Sequence, residues 1–239
     1  MALGSMPMKK YFSIFFLMIV FLVRVFASEK AISVMKNVFN SANQGEYLAT
    51  IVLDPGHGGR DPGKVGVNNA LEKDINLSIC IRLKMLLEQN DIKVIMTRED
   101  DTGLYKETDS NKKRADMRKR VDLIHSSNVD FAISIHQNSF MQESVRGAQV
   151  FYHSKSAEGK RLAQIIQEQL KLSVDNGNNR KAKSNSAYYM LTHTECPLVI
   201  VECGYLSNYQ EAELLEDESY QWKIAWAIHL GIMRYINET

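Results

Sequence analysis

The chain has 239 residues, of which 45% are hydrophobic and 24% charged. That is one-domain length with a globular composition, and it excludes a disordered chain, a collagen-like fibre and a disulfide-dense miniature. Twenty-nine Lys and Arg against 28 Asp and Glu leave a formal charge of +1, with no basic excess of the kind a nucleic-acid partner would require.

The charge is unevenly placed. Residues 1–27 contain Lys9, Lys10 and Arg24 and no acid, and residues 11–23 (YFSIFFLMIVFLV) are an unbroken apolar or small run. As a helix that run spans ~20 Å, short of the ~30 Å hydrocarbon core. A basic start, a short apolar centre and a small-residue end predict a signal peptide over 1–27, with an uncleaved N-terminal membrane anchor as the alternative. Residues 1–5 (MALGS) resemble a tag scar ahead of Met6 or Met8. Without the three basic leader residues, 26 basic residues face 28 acidic ones. The slight basicity therefore belongs to the leader, and a polar linker is expected over 28–48. Cys80, Cys196 and Cys203 are odd in number. An extended strand between the last two would hold them ~20 Å apart, so they are read as buried small hydrophobes without a bridge.

From there strands and helices alternate over a single domain, 49–239. Residues 50–53 form an apolar, β-branched strand that runs into Asp54-Pro55-Gly56, and 54–69 hold five glycines and two prolines, hence a loop. Ile75, Ile79, Leu83, Leu86 and Leu87 mark one helical face. Residues 93–97 are a strand, 98–111 a charged loop and 114–126 a basic helix. Residues 131–135 (FAISI) are a strand ending at His136; a strand over 147–152 and a helix from Ala157 follow, and 174–186 are a polar loop. Residues 198–201 are a strand stopped by Glu202, and 211–215 and 220–236 are helices. This order predicts a mostly parallel or mixed α/β sheet with helices on both faces and ligands beyond the carboxyl ends of the strands.

Three strands deliver polar side chains to those ends. Glycines flank His57 after the first strand, His136 ends the third and Glu202 the last, while Glu72 stands at the start of the first helix. Two histidines and a carboxylate with an open fourth position are the ligand set of a hydrolytic zinc site, and a further carboxylate can serve as general base. By spacing alone Asp54, Asp61 and Asp74 remain candidates for the third ligand, and Glu72 could be a helix-start acid favoured by the dipole. His125, His153, His193 and His229 are read as ordinary surface or core residues. No Gly-Lys-Ser/Thr follows the glycine loop, so it is not a P-loop. Ser134, inside an apolar strand and without an elbow turn, is a poor nucleophile.

The blocks IVLDPGHGGRDPG, ALEKDINL, VIMTRED, FAISIHQNS and PLVIVECGYLSN with EAELL together resemble the zinc-dependent N-acetylmuramoyl-L-alanine amidases, from about residue 50 to 236. The pattern is most similar to the germination-specific, spore-cortex branch. The resemblance implies one Zn²⁺ per chain, with His57, Glu72 and His136 as ligands and Glu202 as general base, then acid. It implies hydrolysis of the amide between the lactyl group of N-acetylmuramic acid and L-alanine in peptidoglycan, here toward muramic-δ-lactam in spore cortex. Arg98, Arg120, Asn138 and the 174–186 loop are candidates for gripping glycan or peptide carboxylates. Gln137 stands where the family usually has a small residue and is expected at the rim, and His125 replaces a usual Asn. Between Asn138 and Tyr188 there is room for one strand, one helix and a loop, so no built-in plug of the zinc site is expected. With no wall-binding module in view, an accessory or activator protein is expected, and an exported, extracytoplasmic location. Contact with the membrane is expected only through the N-terminal segment. The rival readings are a zinc peptidase acting within the stem peptide and a non-catalytic wall-binding protein.

Overall fold

The computed structural model describes residues 47–238 and, before them, Met18 alone. All of the leader over 1–27 except Met18, and nearly all of the linker over 28–48, therefore lie outside the described residues. Among those described, no helix is long and apolar enough to cross a membrane.

Six strands form a single sheet among the described residues: β1 (Ala49–Pro55), β2 (Ile92–Met96), β3 (Phe131–Asn138), β4 (Gln149–Tyr152), β5 (Lys183–Ser184) and β6 (Leu198–Tyr205). The helices are α1 (Glu72–Glu88), α2 (Lys112–Ser126), α3 (Ala157–Ser173), α4 (Tyr189–His193), α5 (Tyr209–Glu216) and α6 (Glu218–Asn237). The strand order is β2-β1-β3-β6-β4-β5. β2, β1, β3 and β6 run parallel, while β4 is antiparallel to β6. The sheet is thus mixed, as the order of elements suggests. The reversal at β4 follows from its connection: residues 139–148 contain no helix to carry the chain back for a parallel pairing.

Alternation along the strands sorts the core into two layers. Ile51, Leu53, Phe131, Ile133, Ile135, Val199, Val201 and Cys203 pack with α1, α3 and α6. Val52, Ala132, Leu198, Ile200 and Phe151 face the other way, against Val121 and Ile124 of α2 and Met190 and Leu191 of α4. Ile79, Leu83 and Leu87 of α1 are fully buried, each contributing roughly 1.5–3 kcal/mol of apolar burial.

Caps set several helix starts earlier than apolar periodicity indicates. The Asn111 side chain accepts from Arg114 N at 3.0 Å, so α2 begins at Lys112 rather than at Arg114. Asn208 and Asp217 cap α5 and α6 in the same way. Two short elements lie where sequence periodicity is silent: β5 inside the polar 174–186 loop, and α4 after it. Between Asn138 and Tyr188 the chain forms β4, α3 and β5, leaving no further helix there to plug the site. All three cysteines are free.

The chain adds β2 on one side of β1 and β3 on the other, so the strand order reverses between β1 and β3. The carboxyl ends of those two strands bound the crevice where such sheets hold ligands.

Candidate metal centre and active site

His57 lies two residues past the end of β1, with a left-handed backbone (φ 63) that is uncommon for a residue other than glycine. His136 lies inside β3, one residue past the expected strand end, and pairs in register with Glu202 on β6. Neighbouring register partners project to the same side of a sheet, so a histidine and a carboxylate stand together by strand pairing alone. Glu72 opens α1 and is almost fully buried.

His57, Glu72 and His136 each offer a ligand atom, and these atoms all lie within 4.8 Å of one another. Glu72 Oε2 is 3.3 Å from His57 Nε2, and Glu72 Oε1 is 3.0 Å from His136 Nδ1. The carboxylate is aimed by backbone donors: Lys64 N reaches Oε2 at 2.7 Å and Gln137 N reaches Oε1 at 3.0 Å. Burial opposes its charge, but the hydrogen bonds with His136 and His57 outweigh it and hold Glu72 well below the usual carboxylate range. His57 Nδ1 meets Asp61 Oδ2 at 2.9 Å, which leaves Nε2 facing the centre and supplies an outer carboxylate of the kind that orients imidazoles in metal sites. The His57 and His136 rings meet edge to face, with centroids 5.1 Å apart. Gly56 makes room for this contact, since a Cβ there would sit 2.2 Å from His136 Cε1.

Glu202 is buried beside this group. Tyr188 donates its hydroxyl to Oε1 at 3.5 Å, while Oε2 is buried without a partner. Burial, with the neighbouring Glu72 carboxylate, pushes the Glu202 carboxyl up to about 7, although His136 and His57 pull it down. Burial and the Glu202 carboxylate push the Tyr188 phenol up to about 12, so it remains a donor at neutral pH. Tyr188 and Asp61 are the residues that sequence reading left without these roles. The signal for Tyr188 is slight, an aromatic pair closing a polar stretch.

Arg98 and Arg120, expected to grip substrate, are engaged with the protein's own groups. Both are buried, and their guanidiniums are committed to the histidine loop. Arg98 donates to the carbonyls of Pro55, Gly56, Lys73 and Asp100. Arg120 binds Asp54, Asp116 and the carbonyls of Pro55 and His57. Asp54, one of the third-ligand candidates, lies beneath the site and also accepts from Ser134 at 2.6 Å and Thr97 at 2.7 Å. Gln137 is not at the rim either. It points into the opposite layer, where Nε2 donates to Asn76 Oδ1 at 3.1 Å behind Glu72. Asn138 lines an open groove next to the site.

Three donors converging on one point, with a separate buried carboxylate beside them, are the arrangement that hydrolytic metal sites use. Residues 51–234 match the N-acetylmuramoyl-L-alanine amidase (Amidase_3) family, and the chain belongs to it. It is an enzyme that hydrolyses the bond between N-acetylmuramoyl groups and L-alanine in peptidoglycan. Among its relatives, the germination-specific N-acetylmuramoyl-L-alanine amidase of Bacillus subtilis (strain 168) is 42% identical over 191 residues, 79% of this chain and 80% of that protein. The amidase LytC of the same organism is 32% identical over 85% of this chain, which spans 38% of LytC. Among solved structures, the CwlD amidase of Clostridioides difficile, in complex with the GerS lipoprotein, superposes with a TM-score of 0.78 at 44% identity. It covers 80% of this chain and all of that one.

Proposed function

We propose that this amidase is a zinc enzyme in which His57, Glu72 and His136 hold the metal and Glu202 is the general base. The observation that carries the reading is the donor cluster within 4.8 Å with the unpartnered Glu202 Oε2 buried beside it. Two imidazoles and one carboxylate suit zinc, and an orphaned buried carboxylate oxygen (otherwise costly) is accounted for by a reacting group that it must meet.

When bound, zinc polarises the scissile carbonyl and lowers the pKa of a water molecule toward ~7. Glu202 takes a proton from the attacking water and returns it to the nitrogen of L-alanine as the amide breaks. Tyr188 holds Oε1 by its hydroxyl, leaving Oε2 to carry the proton. Asp61 keeps the His57 ring in one orientation. Arg98 and Arg120 serve the same centre indirectly, by fixing the loop that presents His57.

The likeness to a germination-specific relative supports a role in spore cortex, on muramic acids destined for the δ-lactam. The peptidoglycan substrate and the basic, apolar sequence over 1–27 support export and action outside the cytoplasm, with residues 49–239 as the catalytic domain. The lipoprotein in the C. difficile complex supports an accessory partner of that class for this chain as well.

The deciding experiment is Glu202→Gln, assayed on cortex peptidoglycan with analysis of new N-terminal alanine. Amide cleavage should fall by about 10²- to 10⁴-fold while zinc content stays at the wild-type level. Loss of zinc from this variant would make Glu202 a ligand and reverse the roles. New termini within the stem peptide, in place of N-terminal alanine, would reject the assigned bond.

A further inference from the structure

The sheet face that carries His136 and Glu202 continues outward past the metal centre. Glu202 pairs with Gln149 on β4, and Phe151, two residues further on, pairs with Lys183 on β5. All four side chains therefore project to the same side. Helices α2 and α4 cover this face over the inner strands. Beyond them lies a groove lined by residues that include Asn138, Phe140, Arg180, Lys183, Tyr188 and Tyr205. Tyr188 also lines the pocket that contains His57, His136 and Glu202, so the two depressions share a wall.

Two cations face this groove without a carboxylate. Among the described residues, neither Arg180 nor Lys183 forms an ion pair, whereas Arg146 nearby is 4.0 Å from Asp175. Arg180 is held in place by neutral partners. Its guanidinium carbon lies 4.8 Å from the Tyr205 ring centroid, Nε donates to the Arg146 carbonyl at 2.8 Å and Nη1 to Gln149 Oε1 at 3.3 Å. A guanidinium oriented beforehand in this way loses little freedom on binding a carboxylate. Phe140, half exposed, adds an apolar wall.

We propose that this groove is the stem-peptide subsite, and that Arg180, with Lys183 beside it, binds a peptide carboxylate. The proposal rests on the amidase reading, with the reacting amide next to Glu202. The spacing selects the carboxylate. Lys183 on β5 lies two strand spacings from β6, about 10 Å, with the Arg180 guanidinium nearer, against Tyr205 of β6 and Gln149 of β4, and an extended peptide advances about 3.3 Å per residue. The bound carboxylate is thus on the second or third residue of the stem.

The test uses Arg180→Gln and Arg180→Lys of the full chain with two soluble muramoyl tripeptides. One has free carboxylates on its second and third residues, and the other has both converted to carboxamides. The wild type should show a KM about 10- to 100-fold lower for the free acid. Arg180→Gln should raise KM for the acid by that factor, leave kcat within about twofold and leave the amide compound unaffected. Arg180→Lys should recover part of the discrimination. Equal losses on both compounds, a fall in kcat at constant KM, or a wild type that does not discriminate would overturn the subsite while leaving the amidase reading intact. Failure of the wild type to release the peptide from either compound would overturn both.

Discussion

Arg120 Nη2 donates to the carbonyl oxygen of His57 at 2.6 Å, across 63 residues of sequence. Its Nη1 reaches the Pro55 carbonyl at 2.7 Å and Asp54 Oδ1 at 2.6 Å, and Arg98 takes the Gly56 carbonyl between them at 3.1 Å. Three consecutive carbonyls are thus fixed by two buried guanidiniums, which holds His57 in its left-handed conformation. Arg120→Met should cost about 3–5 kcal/mol, because it strands the Asp54 carboxylate in the core. Arg120→Lys should fall in between, since an ammonium keeps the charge but cannot span the same acceptors. Urea denaturation of the three proteins, together with zinc titration, checks both effects.

Stability should also fall in acid for the same reason. Burial works against the Asp54 charge, but Arg120 and the hydroxyls of Ser134 and Thr97 prevail and lower its pKa from 3.8 to about 2. A carboxylate whose folded pKa is depressed contributes its stabilisation in full above the unfolded value, and loses it as pH falls through the folded one. Unfolding free energy should therefore drop by about 2 kcal/mol from this residue between pH 4 and pH 2. Asp54→Asn, compared with wild type by denaturant titration across that window, should show a shallower acid slope.

Asp61 offers a test of the proposed ligand orientation that leaves the proposed ligands themselves intact. Asp61→Asn keeps size and shape but replaces the carboxylate that holds His57 Nδ1 at 2.9 Å. Zinc affinity should fall by about 10- to 100-fold with little change in melting temperature. Competition with a chelator measures the first, and a thermal scan the second.

Gly56 tests the close contact of loop and strand. The methyl of Gly56→Ala would overlap the His136 ring at 2.2 Å, so the ring must turn out of the donor cluster. Zinc affinity should fall by about 10-fold or more. The cobalt-substituted protein should show an altered ligand-field spectrum that excess metal does not restore.

Much of this site can be read from the chain because sheet geometry converts apolar runs into directions. FAISI and LVIV are short apolar runs with β-branched residues, which read as buried strands, and the polar residues that end them, His136 and Glu202, then emerge at one edge. Glu72 is less legible, since a helix-start acid has an ordinary explanation, and what separates the two is its burial against Lys64 N and Gln137 N. The engagement of Arg98 and Arg120 with backbone carbonyls is not legible, because a sequence does not show whether an arginine meets solvent or the chain itself. Tyr188 depends on α4, too short at Tyr189–His193 to leave a periodic signature. The direction of β4 rests on a connection whose conformation no residue pattern in 139–148 announces.

The pairing of His136 with Glu202 makes the active site dependent on counting. Along β6 the side chains alternate between the two layers, with Glu202 toward the centre and Cys203 buried in the opposite core. Deleting a single residue between Leu198 and Val201 while the start of the strand stays paired would present a thiol to the centre and send the carboxylate into the apolar layer. The helices could remain where they are. Changes of length are therefore confined to the loops at either end, and this strand can vary only by substitution, like a word whose letters may change but whose spelling length may not.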